Sequence, residues 1–260
     1  MKIVSLYSSS AGNSFLVTEG DSAILIDAGK NRKRLIDALC ALGISTDKIG
    51  GVFITHGHCD HVSAIPVLLK KTALKFHITK PSLAFMYEYM DALPLSDRLI
   101  SHDPGYEMTV GSLNIKSFPL PHDCPGTVGY IITNDKGEKY VHATDVGTPT
   151  DELKKAIEGA DYLTLEANYD PDTLKKCDRP ATVKKRITCG SGHISNGQCA
   201  ELIEKAIDGG TKKIMLTHIS AETNTTAKAL ECVCKALAKR NAADVFLIAA
   251  DREKVTVFVR

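Results

Sequence analysis

Residues 55–61 read Thr-His-Gly-His-Cys-Asp-His, placing four metal-binding side chains, His56, His58, Asp60 and His61, within six positions. Residues 51–55, just before, form an apolar run that reads as a buried strand. Alternation along extended backbone directs His56 and His58 toward one point, while Asp60 and His61, opening the next helix, reach a neighbouring point. A closed structural zinc site is the plainer alternative, but such sites favour Cys-rich ligand sets. Cys59, between the ligands, is expected to face away. The pattern therefore predicts two adjacent open sites for divalent ions, and the mixed imidazole and carboxylate set suits Zn, Mn or Fe without choosing among them. Two such ions lower the pKa of a bridging water and neutralise charge developing on a phosphoryl oxygen. The same pair can open a lactam, a thioester or a lactone, so metals alone leave the substrate class undecided.

A loop of this kind needs rigid strands behind it. Short β-like runs at residues 2–5, 15–18 and 23–27 are separated by Ser-Ser-Ser-Ala-Gly-Asn and Glu-Gly-Asp-Ser turns. From Lys30 the pattern becomes helical, with Leu35, Leu39 and Leu42 on one face and Gly43 as a stop. Helices are expected at 62–71 and 81–92, with a strand at 74–79 between them. Strands at 112–119, 127–133 and 139–143 follow, the last two joined by a turn at 134–137, and then a helix at 149–158. The strand ending at Asp27 and the strand leading to Asp145 each feed a helix, a faint echo that suits two similar β-α halves packed as a sandwich. Residues 1–260 are expected to form a single domain.

The His-x-His-x-Asp-His string resembles the metallo-β-lactamase superfamily, and further motifs fall in that family's order: Pro-Leu-Pro-His-Asp ending at Asp123, Ala-Thr-Asp ending at Asp145, and Leu-Thr-His ending at His218. The resemblance implies an αββα sandwich of two mixed β-sheets flanked by helices. It also implies that His122 joins His56 and His58 on one ion, that His218 joins Asp60 and His61 on the other, and that Asp145 bridges them. Asp27, at its strand end, is expected to accept a hydrogen bond from a ligand His rather than touch metal. Glu166-Ala167-Asn168-Tyr169-Asp170 and Gly192-His193-Ile194-Ser195-Asn196 resemble segments of ribonuclease Z-like members, in which a Glu and a His relay a proton to the leaving oxygen. His193 is accordingly the candidate general acid, Glu166 its partner, and Asp60 a further catalytic group. A departing alkoxide needs a proton where a thiolate does not, so a His of this kind favours phosphodiesters. The alternative for His193 is capping of the helix that starts near Ser195, and for Glu166 a buried carboxylate bonded to backbone.

Together with Ser8–Ser14, the Leu-Ile-Asp-Ala-Gly string, and Glu222 and Asn224 after His218, these motifs are most similar to the WalJ/YycJ (VicX) branch, which implies a metal-dependent 5′ exonuclease acting on DNA. The chain departs from that branch at Ile219 through Asn224 and in having His142 before Ala143. Only 115 residues follow Asp145, too few for both the large β-CASP insertion and a final β-α half, and no Gly/Pro-rich tRNA-clamping arm is visible.

The chain's 32 Lys and Arg nearly balance its 31 Asp and Glu, so no global positive field advertises nucleic acid and any polyanion must be held by a local patch. The candidates are Lys175, Lys176, Arg179, Lys184, Lys185 and Arg186, with Asn196 and Asn224 as further substrate contacts and Ser9, Gly12 and Asn13 offering backbone N–H groups at the rim. A solvated pair of short helices explains the same charge run. The N-terminal segment lacks a signal-like apolar run, and the eight Cys form no CxxC pair, so a cytoplasmic protein with reduced thiols is expected. Two other readings stay open: a small-molecule phosphodiesterase resembling PhnP or a thioester or lactone hydrolase, and a metal-bearing regulatory partner.

Overall fold

The computed structural model describes residues 1–259. Its first sheet contains β1 (Lys2–Ser9), β2 (Gly12–Glu19), β3 (Ser22–Ile26), β4 (Ile49–Phe53), β5 (Phe76–Thr79) and β6 (Leu99–His102), with β14 (Thr256–Val259) added beside β1, in the order β14-β1-β2-β3-β4-β5-β6. The second contains β7 (Glu107–Val110), β8 (Leu113–Pro119), β9 (Val128–Asn134), β10 (Lys139–Ala143), β11 (Tyr162–Glu166), β12 (Lys213–Thr217) and β13 (Phe246–Ala249), in the order β13-β12-β11-β10-β9-β8-β7. Each sheet is antiparallel on one side and parallel on the other. Helices α1 (Arg32–Ala41), α2 (Cys59–Val62), α3 (Ile65–Lys71) and α4 (Lys80–Tyr89) accompany the first sheet. The second is covered by α5 (Asp151–Ile157), α8 (Asn196–Asp208) and α9 (Thr226–Lys239), while α6 (Pro171–Lys176) and α7 (Ala181–Thr188) fill the connection after β11. The expected αββα sandwich is thus present.

Period-two alternation explains the layering, because strands covered on both faces must be apolar on both. In β3, Ala23 and Leu25 face the helices with Leu35 and Leu39, while Ile24 and Ile26 face the other sheet with Phe53, Tyr130 and Tyr140. In β10, Val141 and Ala143 pack under α5 and α8, and Tyr140 points between the sheets. Helix α1 stops as the sequence indicates, with Gly43 at φ 72°. The sheets are also tied by hydrogen bonds at one end: the Val128 N–H donates to the Thr55 carbonyl at 2.9 Å and the Tyr130 hydroxyl to the Ile54 carbonyl at 2.7 Å. This end carries the His-rich loop.

Several boundaries differ from expectation. The Ser-rich segment belongs mostly to β1 and β2, leaving only Ser10 and Ala11 as the turn. Its polar residues are accommodated in buried strand because they are paired; Ser14 Oγ, for example, donates to the Asp27 carbonyl at 2.9 Å. The helix expected at 62–71 is two pieces that break at Ser63 and Ala64, and α4 ends at Tyr89 rather than at residue 92. Strands β6 and β7 had no sequence signal of their own, being four residues long with half-exposed patterns. No helix among the described residues is long and apolar enough to cross a membrane.

One glycine holds the His-rich loop against β2. A Cβ on Gly29 would lie 1.9 Å from the Asp60 carbonyl oxygen and 2.5 Å from the Asn13 backbone nitrogen. Gly29→Ala must therefore push two backbone segments apart, and a loss of about 1–3 kcal/mol is expected, the usual range for overpacking. Urea unfolding measures it, and an unchanged midpoint would show that the loop is not wedged here.

Candidate metal centre

The strands deliver their carboxyl ends to one edge of the sandwich, and the candidate residues occupy those ends. Asp27 follows β3, residues 55–61 follow β4, His122 follows β8, Asp145 follows β10, Glu166 ends β11 and His218 follows β12. Asp27, Asp145 and His218 leave their strands with φ of 61°, 56° and 51°. Non-glycine residues avoid this left-handed region, so three such turns at one locus mark backbone held by its surroundings.

The side chains converge as two overlapping groups. His56, His58 and His122 bring one ring nitrogen each within 4.8 Å of one another, as do the ligand atoms of Asp60, His61 and His218. Asp145 joins them: its Oδ2 is 3.2 Å from His61 Nε2, and its Oδ1 is 3.5 Å from His218 Nε2 and 3.7 Å from His122 Nε2. All seven expected ligands therefore meet, with Asp145 in the middle.

In each imidazole, the nitrogen turned away from the cluster has a partner. His61 Nδ1 donates to Asp27 Oδ2 at 2.7 Å, His122 Nδ1 to the Gly192 carbonyl at 3.0 Å, and His218 Nδ1 faces Glu166 Oε1 at 3.3 Å. His56 Nδ1 lies 3.0 Å from Thr55 Oγ1. His58 is reversed, since its Nδ1 faces His56 and His122 while its Nε2 points to Asp123 Oδ1 at 3.4 Å. Outer partners of this kind fix the tautomer and leave the inward lone pair free for a cation. A direct sign of fit for such an ion is that Asp145 Oδ2 and His218 Nε2 are buried with no hydrogen-bond partner, a costly arrangement unless another group satisfies them.

Electrostatics divide the cluster. Burial, then the facing imidazoles, hold His56 well below its ordinary pKa, and burial likewise lowers His58 and His122. The neutral form of these rings, the one that can donate a lone pair to a cation, is thereby favoured. Burial also opposes charge on His61 and His218, but carboxylates outweigh it: Asp60, Asp27 and Asp145 for His61, Asp145 first for His218. That half of the site demands positive charge.

Beside the cluster, His193 Nδ1 lies 2.6 Å from Glu166 Oε1. The buried Glu166 also accepts the Val146 N–H through Oε2 at 2.7 Å. Burial disfavours the His193 cation, but Glu166 and then Asp145 outweigh it and raise its pKa. His193 is not a helix cap, because Ser195 and Gln198 form a reciprocal capping box on α8. The ring lines a cleft of about 430 Å³ together with His58, Asp60, His122 and His218.

Other expectations change on contact with the structure. Asn196 and Asn224 are buried and exchange side-chain hydrogen bonds at 2.7 and 3.0 Å, and Asn224 also donates to the Ala167 carbonyl. Their amides brace β11 against α8 and face no cleft, which corrects their reading as substrate contacts. Of the basic run, Arg186 lines the cleft, paired with Asp123. Arg179 is paired with Glu222, and the Lys184 ammonium is turned onto the Lys175 carbonyl at 2.9 Å. Lys185 is exposed on α7 outside the cleft lining, as is Lys176 on α6. Cys59 is exposed at the cleft and belongs to none of the clusters of ligand atoms, as α2 begins there and turns its first residue outward. The buried Asn13 acts through its side chain rather than as a backbone rim, with Nδ2 3.2 Å from Asp60 Oδ2. Sequence reasoning also missed Asp123, adjacent to His122, and Asn168, whose Nδ2 donates to the His218 carbonyl at 3.1 Å. Position beside a recognised motif was the only signal for either.

A family model for a beta-lactamase superfamily domain matches residues 22–219. Exodeoxyribonuclease WalJ of Streptococcus pneumoniae is 30% identical over 221 residues, spanning 84% of this chain and 81% of that one. Exodeoxyribonuclease YycJ of Bacillus anthracis is 28% identical over 235 residues, spanning 90% and 88%. Among solved structures, the metallo-beta-lactamase fold protein YhfI of Bacillus subtilis superposes with a TM-score of 0.69 at 19% identity, covering 98% of each chain. Zinc-bound PqqB of Methylobacterium extorquens gives 0.73 at 18%, covering 98% and 99%. With the family model matching residues 22–219 and the WalJ relative 30% identical over 84% of the chain, the chain belongs to the metallo-β-lactamase superfamily, on the WalJ/YycJ-like branch.

Proposed function

We propose that this protein is a metal-dependent exodeoxyribonuclease that removes nucleotides from a DNA end by hydrolysing phosphodiesters. The observation that carries the reading is the 2.6 Å pair of Glu166 with His193, a His outside the seven-residue cluster yet on the same cleft. That the WalJ and YycJ relatives are exodeoxyribonucleases supports DNA as substrate. In this reading two divalent ions, Zn, Mn or Fe, would be held by His56, His58 and His122 and by Asp60, His61 and His218, with Asp145 available to both groups. When bound, such a pair supplies an activated water and offsets the charge that develops on the phosphoryl oxygens.

The chain's own residues do the rest. Glu166 accepts a hydrogen bond from the Nδ1–H of His193, which orients the ring and stabilises its cation, so that a second proton sits at Nε2. From there it passes to the departing sugar oxygen as the phosphorus–oxygen bond breaks. Asp60, whose carboxylate is 16% exposed, is open to the cleft and accepts a hydrogen bond from the attacking water. Arg186 is positioned to meet a neighbouring phosphate. A thioester releases a thiolate that leaves without a proton, so the Glu166–His193 pair would have no task in such a hydrolase.

Elemental analysis of metal-loaded protein should give two ions per chain, and Asp145→Ala should fall short of two; a parent saturating at one ion counts against the shared carboxylate. Because Asp27 fixes His61 and the Thr55 loop, Asp27→Ala should weaken metal affinity about 10–100-fold, measured by competition with a chelator. Unchanged affinity would leave Asp27 as a turn residue only.

General acid catalysis contributes about 10²–10⁴-fold, so His193→Ala should lose about that much on DNA while keeping its metals. With a p-nitrophenyl phosphodiester, whose leaving group needs little protonation, the loss should be much smaller. Glu166→Gln should act in the same direction with smaller effect. Wild-type DNA cleavage by a metal-replete His193→Ala protein would remove the relay.

A further inference from the structure

The cleft has an aromatic wall that the proposed chemistry does not use. Phe85 and Tyr89 lie one helical turn apart on α4 and both line it, their ring centroids 5.3 Å apart. Met86, between them, is fully buried, and Ser82 Oγ donates to the Pro125 carbonyl at 2.7 Å, so α4 is seated by other residues. Tyr89 is 42% exposed although its hydroxyl donates to the Gly57 carbonyl. That bond fixes an aromatic face in the open cleft, where folding alone gains little from it. Phe85 packs edge-on against His58 at 5.8 Å. Gly57, inside the His-rich loop, is what lets α4 come so close, since a Cβ there would lie 2.9 Å from the Ser82 carbonyl oxygen and 3.2 Å from the Phe85 ring.

Arg186 reaches the same cleft from α7, and its partner Asp123 also faces His58. The cleft therefore offers three chemistries within one small volume: a cluster suited to a phosphoryl group, a guanidinium, and two aromatic rings tilted 54° to one another. A nucleotide presents matching groups in the same compass, phosphate and base being separated by one sugar. About 430 Å³ is at the low end of small-ligand cavities, the scale of the end of a strand.

We infer that Phe85 and Tyr89 are a stacking platform for the nucleobase beside the scissile phosphate, so that the substrate is a terminal nucleotide whose base has left its neighbour's stack. This rests on the nuclease reading above. Stacking on an aromatic side chain tolerates any base, since each has a π face, and contributes about 1–3 kcal/mol per base, or about 5- to 150-fold in affinity.

The test compares two single-stranded oligonucleotides that differ only at the terminal nucleotide to be removed, one carrying 2-aminopurine and the other an abasic sugar. In a His193→Ala background, binding should quench the 2-aminopurine fluorescence, and the base-bearing strand should bind about 5- to 150-fold tighter than the abasic one. In the otherwise native enzyme, kcat/KM should favour the base-bearing strand in the same direction. Phe85→Ala/Tyr89→Ala should abolish the quench and bring both ratios close to one, while Tyr89→Phe, which keeps the ring, should retain most of the discrimination. The ratio is decisive, because damage to the His58 loop lowers both substrates together. Discrimination that persists in the double variant, or two substrates that fall equally with the ratio intact, overturns the platform. A wild-type protein that neither binds nor cuts either strand, yet hydrolyses a p-nitrophenyl phosphodiester, overturns the nuclease reading and the platform with it.

Discussion

The centre depends on one buried carboxylate that touches no candidate ion position. Asp27 is fully buried; its Oδ1 accepts the Thr55 N–H at 2.8 Å, and its Oδ2 accepts the Thr55 hydroxyl at 2.8 Å and His61 Nδ1 at 2.7 Å. Its own N–H donates to the Phe53 carbonyl at 3.0 Å. A single side chain thus ties β3 to the exit of β4 and to the start of α2. A buried carboxylate is tolerable only with such a full set of donors, and once it has them the His-rich loop has little freedom left. Thr55 carries the constraint onward, its hydroxyl reaching toward His56 Nδ1 and its carbonyl receiving the second sheet at Val128.

The echo between the two halves of the chain is real in backbone and divergent in chemistry. Asp27 and Asp145 both leave a strand in left-handed geometry and both precede a helix. Asp27 is enclosed by donors, whereas Asp145 keeps a buried oxygen without a partner. That difference follows from the neighbours: Asp27 sits under the Thr55 backbone, while Asp145 faces only imidazoles. One carboxylate therefore orients a ligand and the other is left as an acceptor for a cation. Glu166 stands between these cases, satisfied on one oxygen by the Val146 backbone and shared on the other between His193 and His218.

A second chain of contacts links substrate recognition to the centre. Asp123 Oδ1 faces the outward Nε2 of His58, at 3.4 Å, and the cluster-facing Nε2 of His122, at 3.3 Å, while its other oxygen holds Arg186. The basic run around α6 and α7 contributes to the cleft through this one Arg; its other cations are paired elsewhere or stand on outward faces. Charge counted along a sequence overstates charge delivered to a site.

Tight spacing after an apolar strand made His56, His58, Asp60 and His61 legible as a cluster, whereas the two-sheet architecture, the addition of His122, Asp145 and His218, and the Glu166–His193 pair were legible through resemblance to the metallo-β-lactamase superfamily. His193 was separable from a helix cap only once Ser195 was seen to do the capping. What required tertiary structure were contacts made across long sequence separation. Asn196 and Asn224 are 28 residues apart and were expected to contact substrate, yet they satisfy each other in the interior. Phe85 and Tyr89 read as ordinary helix residues until Gly57 brought α4 against the His-rich loop. Asp123 looked like a neighbour of a ligand until folding turned it toward His58 and Arg186. Sequence fixes which groups are available and which face of a strand or helix they occupy; only packing decides whether a polar or aromatic group at that position is satisfied, buried, or left facing a cleft.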